Sequence, residues 1–147
     1  MRKQGIYYIA VAYREAILKA KYNRKFNRRD RMSNFPGGCC DDSCDLLAHY
    51  LYTTYSIRTK QGNGIYCDND ANNTTNHAWL VMADNTIIDV TADQFDSFSR
   101  IAKGVYIGKE NYSYKHLEHR RIYENYDITQ DTRLWNDYQI IMSYIVI

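Results

Sequence analysis

A chain of 147 residues is long enough to bury a core without cross-links, and its 45% hydrophobic and 14% aromatic content excludes a disordered chain, which lacks the apolar surface to offset ordering entropy. A net charge of +2 is too small to argue for a polyanionic partner, so nucleic acid is not expected. No apolar run reaches membrane-span length, and Arg14 and Glu15 interrupt the stretch that a cleavable leader would need, which predicts a soluble, cytoplasmic single domain (residues 1–147) whose four cysteines are free thiols.

From Ile6 to about Phe26 there is no Pro or Gly after the first turn, and Ile6, Ile9, Ala10, Tyr13, Ile17 and Ala20 recur at helical spacing, predicting an amphipathic helix. The cations Lys19, Lys21, Arg24, Lys25, Arg28, Arg29 and Arg31 read as its solvated face, with a phosphate-binding surface as the alternative. A break at Ser33–Gly38 holds the only proline, Pro36. The segment CCDDSCDLLAHYLYTTY then predicts a second helix, with Cys40, Cys44, Leu47 and Leu51 on its apolar side and Asp41, Asp42 and Ser43 in a first turn suited to the helix dipole.

Gly62, Asn63 and Gly64 predict a turn, and the polar stretch Asp68–Asn76 a loop. HAWLVMA and TIIDVTA, separated by Asp84 and Asn85, predict an antiparallel hairpin, and Val105–Ile107 a further short strand. From Asp131 onward Leu134, Tyr138, Ile141 and Ile145 have helical spacing, although IIMSYIVI also suits a buried strand. The fifteen tyrosines are read as packing at the core boundary.

Three side chains carry candidate chemistry. Cys40 follows a Gly-rich turn at a helix start, where the dipole favours a thiolate and the Cys40 amide would face an oxyanion. His77 opens one strand of the hairpin and Asp89 lies on the other, so pairing would set the carboxylate beside the imidazole, as in a nucleophile–base–orienting-acid triad. Paired with His77, the Cys40 thiolate is expected to persist well below the ordinary thiol value of about 8.5. Gln94, Asn76 and Asn34 are candidates for a second oxyanion donor, with Gln94 the one adopted. Trp79 is expected on the His77 side, packing in the core. A rival reading groups Cys40, Cys44 and His49, with Cys39 or Cys67, as a zinc site; another makes the chain a non-catalytic binding module for nucleic acid or protein.

These residues resemble the transglutaminase-like superfamily, a branch of the papain-like fold. GGCCDDSCDLLAHYL is similar to its nucleophile segment, with Gly38, Cys40, Cys44, Leu46 and Leu47 in the matching places. NHAWLV, with His77, Ala78 and Trp79, is similar to its His-Ala-Trp block, and IIDVTADQF, with Asp89 and Thr91, to its Asp-Pro-Thr block. Val81 stands where an acidic residue is common, and Val90 replaces the proline. The resemblance spans roughly residues 35–95. It implies an α+β fold in which a nucleophile helix packs on an antiparallel sheet. It also implies a cysteine hydrolase or acyltransferase acting on a protein or peptide substrate without a cofactor, with water or an amine as acyl acceptor.

Overall fold

The computed structural model describes residues 2–67, 74–93 and 104–145. It is α+β, with four α-helices and a five-stranded antiparallel sheet in these residues. Helix α1 (Lys3–Tyr22) buries Ile6, Ala10, Tyr13, Ile17 and Ala20, the face expected from its spacing. It stops four residues earlier than expected, because Arg24 takes a left-handed conformation (φ 55°). The cations from Arg24 to Arg31 therefore belong to the following loop and a short 3-10 turn (Arg31–Asn34) rather than to a helix face. Helix α2 (Cys40–Tyr55) starts where the sequence placed it, with Cys44 and Leu47 turned into the core.

The sheet order is β4-β3-β2-β1-β5. Strand β1 (Thr59–Cys67) runs straight through the expected turn and pairs along its whole length with β2 (Thr74–Met82). Its glycines are there for close approach. A Cβ on Gly62 would lie 2.4 Å from the Trp79 indole, and one on Gly64 would lie 2.7 Å from Leu117 Cβ, so both positions must stay bare. Strand β2 likewise begins at Thr74, inside the segment expected to be a loop, of which residues 68–73 lie outside the described residues.

A turn at Asp84–Asn85, held by Met82 N–H donating to Thr86 O (2.9 Å), leads into β3 (Ile87–Asp89) as expected. The β2–β3 ladder is short, pairing Leu80 with Ile88 and Val81 with Ile87. Strand β4 (Tyr106–Gly108) follows on the far side of β3. Helix α3 (Tyr112–Lys115) and strand β5 (Glu118–Tyr123) complete the sheet region, and helix α4 (Thr132–Met142) takes in Ile140–Met142 of the ambiguous C-terminal stretch, while Ser143 and Tyr144 form a turn and residues 146–147 lie outside the described residues. The Asp131 side chain caps α4 by accepting from Leu134 N–H at 2.9 Å, a bond worth about 1 kcal/mol.

Alternation along β2 divides the interior in two. Ala78 and Leu80 face α1, α2 and α4 in the main core, with Ile88 and Val90 beside them. Trp79 faces the other side, in a smaller cluster with Ile87, Ala92, Tyr114 and Leu117. Among the described residues no helix is long and apolar enough to cross a membrane.

Candidate active site

The site is built around three consecutive residues of β2. Backbone groups of the even-numbered residues of this strand point towards β3, as the Met82–Thr86 bond shows. Beyond Leu80 the ladder with β3 has ended, and the Cys40 thiol occupies the place of the missing strand. The thiol sulfur lies 3.7 Å from Asn76 O, to which it donates, and it receives the N–H of Ala78. The residue between these two contacts is His77.

His77 projects to the Trp79 side, where its Nε2 lies 2.6 Å from Asp89 Oδ2. The imidazole is wholly buried and Asp89 is 1% exposed. Extending the β2–β3 register would set His77 opposite Thr91, so Asp89 is the diagonal neighbour on the same face, a reach suited to side-chain pairing. The carboxylate also accepts from Tyr114 Oη at 2.7 Å and from Thr91 N–H at 3.0 Å, with Thr91 Oγ1 more distant at 3.4 Å. A buried carboxylate needs such donors, because desolvating a charge without partners costs several kcal/mol, on the order of the whole stability of a domain. With Asp89 accepting from it, Nε2 carries the ring proton.

The loop after β3 is held from α1. Arg14 donates to Val90 O (2.6 Å) and pairs with Asp93 (2.7 Å), so the chain on both sides of Thr91 is fixed by one buried guanidinium. Trp79 stacks on His77 with centroids 5.9 Å apart, in the orientation expected of it.

One sequence expectation changes here. Burial pushes the Cys40 thiol up to about 12, with the Asp41 carboxylate adding to the rise and the Ala78 N–H opposing it. The expected low-pH thiolate is therefore not the resting state. A helix dipole contributes about 0.3–1 kcal/mol, up to about 2 when partly buried, less than the several kcal/mol that desolvating an unpaired charge costs. The acidic first turn that suits the dipole also repels a thiolate beside it. Cys39 is wholly buried as the residue preceding α2, accepts from Ser43 Oγ, and is likewise pushed up by burial, to about 11.

The candidates for a second oxyanion donor are only partly placed. Gln94 lies outside the described residues. Asn34 ends the 3-10 turn, and Asn76 is the candidate whose residue touches Cys40, through its carbonyl. Tyr114 went unnoticed in the sequence because it is one of fifteen tyrosines and has no motif around it. Gln61 was also missed. It is buried in β1, donates to Asp45 Oδ1 at 2.9 Å and accepts from Tyr123 Oη at 2.8 Å, fastening β1 and β5 to α2. A cleft of about 470 Å³ opens beside these groups and Asp41, the chain neighbour of Cys40.

The zinc grouping is not assembled. His49 packs edge-on against Trp135 and Tyr138, and the Cys67 side chain lies outside the described residues. Among the described residues no group of three or more His, Cys, Asp or Glu side chains could hold a metal ion.

No family model matches the chain, and no curated protein or solved structure matches it significantly.

Proposed function

We propose that this chain is a cysteine-nucleophile acyl-transfer enzyme with a transglutaminase-like or papain-like core, in which Cys40 attacks, His77 moves the proton and Asp89 orients His77. The observation that carries this reading is the 2.6 Å bond of buried His77 to Asp89, on a strand whose flanking backbone groups hold the Cys40 thiol. A buried imidazole–carboxylate pair next to a thiol is costly as core packing, and in a nucleophilic site it fixes the tautomer that accepts a proton.

The sulfur bonds to a carboxamide or peptide carbonyl carbon as its proton passes to His77. The tetrahedral intermediate collapses with cleavage of the C–N bond, and the same proton leaves with the amine. Water or a second amine then attacks the thioester, losing a proton to His77, and the thiol is restored. Because Cys40 rests as a neutral thiol, proton transfer accompanies attack rather than preceding it as an ion pair. The substrate is a protein or peptide, and the steps need no further group.

A peptidyl acyloxymethyl ketone carrying a fluorophore tests the reading, with peptide mapping of the adduct. Labelling is expected at Cys40, and His77→Ala should slow it by about 10²–10⁴-fold, the usual contribution of a general base. Adducts spread over several cysteines, or a His77→Ala rate equal to wild type, would leave the buried dyad as packing in a non-catalytic module.

A further inference from the structure

Between residues 16 and 29 the chain carries six of its nineteen Lys and Arg residues and none of its seventeen Asp and Glu. The net charge of +2 thus averages a cationic segment against an acidic remainder. Lys19 and Lys21 lie at the negative end of the α1 dipole, and Lys21 donates to Phe35 O at 2.7 Å, so both have a structural task. Arg24, Lys25, Arg28 and Arg29 are exposed, and their side chains make no ion pair or hydrogen bond among the described residues. The next acid in the chain, Asp30, is buried and paired with Arg133 at 2.9 Å. The loop that carries the four free cations is fixed along its length. Helix α1 closes with Lys25 N–H donating to Ala20 O (3.0 Å) and Arg24 N–H to Lys21 O (2.9 Å), and Arg24 takes the left-handed position that glycine usually fills in such a closure. Phe26 is buried in the core, and Asn27 accepts from Asp30 N–H through its carbonyl and from Arg29 N–H through Oδ1, each at 2.9 Å. The cations therefore stand in two pairs on either side of an anchored Phe26, and five chain steps place the α-carbons of Arg24 and Arg29 at most about 18 Å apart. Tyr22, just before them, is 74% exposed.

We propose that the loop of residues 22–29 binds single-stranded nucleic acid, with Arg24, Lys25, Arg28 and Arg29 on its phosphates and the Tyr22 ring stacked on a base. Four like charges held close together repel one another, and a polyanion removes that repulsion. Three of the four are arginines, whose forked guanidinium matches a phosphate with two parallel bonds. A nucleic-acid backbone and an anionic bilayer both offer such charge, and the neighbouring apolar groups decide between them. Docking on a bilayer draws on exposed apolar side chains that insert below the headgroups, whereas Phe26, the apolar residue among these cations, is buried in the protein core. The exposed group is instead Tyr22, an aromatic face beside the cations, and a cationic track with an aromatic platform is how sequence-tolerant single-strand binders work. A surface ring stacks on bases that are unpaired, which selects a single strand over a duplex. This surface does not depend on the chemistry at Cys40.

Fluorescence anisotropy of a fluorescein-labelled oligothymidylate, titrated with the full chain over a range of salt concentrations, tests the surface. Four phosphate contacts at about −0.7 each predict a slope of about −3 for the logarithm of affinity against that of salt. Arg24→Gly/Lys25→Gln/Arg28→Gln/Arg29→Gln should lower affinity at least tenfold in low salt and flatten the slope. Tyr22→Ala should lower affinity about fivefold or more with the slope kept, because stacking is lost and no cation is removed. All five positions are exposed, so both variants should keep the wild-type thermal midpoint. A self-complementary duplex of the same length should bind more weakly than the single strand. No binding of oligothymidylate in low salt, binding indifferent to the quadruple substitution, or binding indifferent to Tyr22→Ala would each overturn the proposal. So would a duplex held as tightly as the single strand, or sedimentation with phosphatidylserine vesicles that the quadruple substitution abolishes while oligothymidylate fails to compete.

Discussion

The resting state of Cys40 offers a sharp measurement. With the thiol pushed up to about 12 by burial, first of all, and by Asp41, the thiolate fraction at pH 7 is about one in 10⁵. A free thiol near 8.5 has about one in 30, so Cys40 carries about 3,000-fold less thiolate than an exposed cysteine. Only the thiolate reacts with iodoacetamide, and its rate of modification at Cys40 should therefore rise about tenfold per pH unit from pH 6 to pH 10 with no plateau. The rates are read by quenching at intervals and quantifying the Cys40 peptide by mass spectrometry, with Cys40→Ser as the blank. A preformed thiolate–imidazolium pair gives a different curve, flat and fast from about pH 5 upward and lost in His77→Ala. That curve would refute the argument that burial and the acidic first turn outweigh the helix dipole.

Three further outcomes follow from buried polar groups. Tyr114→Phe removes a 2.7 Å donor from the Asp89 carboxylate, and a hydrogen bond to a charged group contributes about 1.5–3 kcal/mol, so urea unfolding should report a loss of that size, with unchanged stability counting against the bond. The Tyr13 hydroxyl is buried without a hydrogen-bond partner among the described residues; Tyr13→Phe should hold or raise stability by about 1 kcal/mol, and a marked loss would reveal a partner. Burial, and then the hydrogen bond with Asp30, push the Asp137 carboxyl up to about 8 beside Arg133 and Asp42, while Asp30 is held low against its own burial by Asp137, the Met32 N–H and Arg133. Asp137 keeps its proton in the folded chain and loses it in the unfolded chain between about pH 4 and pH 8, so its contribution to stability falls as pH rises through that window. Asp30 acts oppositely, and its contribution is lost on acidification below about pH 4. Asp137→Asn should therefore lose less stability than wild type between pH 5 and pH 8, and parallel urea midpoints across that range would argue against a retained proton.

The elements legible in the sequence are those with a one-sided apolar pattern. The α1 face, the α2 face starting at Cys40 and the β2–β3 hairpin with its Asp84–Asn85 turn all declare themselves through burial on one side. Strand β1 hides because Gly62 and Gly64, which signal a turn by composition, are required by the side chains of Trp79 and Leu117, residues distant in sequence. Strand β5 hides because every residue from Glu118 to Tyr123 is exposed at the sheet edge, so no alternation marks it. Cys40, His77 and Asp89 could be singled out because each sits at a position where local geometry restricts its surroundings. Tyr114 and Gln61 could not, because their importance lies in partners on other elements.

The start of β2 shows how one missed boundary affects the site. Thr75 and Asn76 are polar and exposed, and composition therefore assigns them to the loop before the strand. A strand beginning only at His77 would leave that residue at a frayed end, with the Asn76 carbonyl unfixed. In the structure, pairing with β1 extends to Thr74, so Asn76, His77 and Ala78 are held in register with Ile65, Gly64 and Asn63. The strand-edge groups on either side of His77 then meet Cys40 as a preorganised pair, while the imidazole is directed to Asp89 on the Trp79 face. The relative placement of sulfur and imidazole thus depends on how far β2 outruns β3, which pairs with only two of its residues. The short ladder is therefore what admits the Cys40 thiol: a β3 residue paired alongside Ala78 would take the Ala78 N–H that now meets the sulfur.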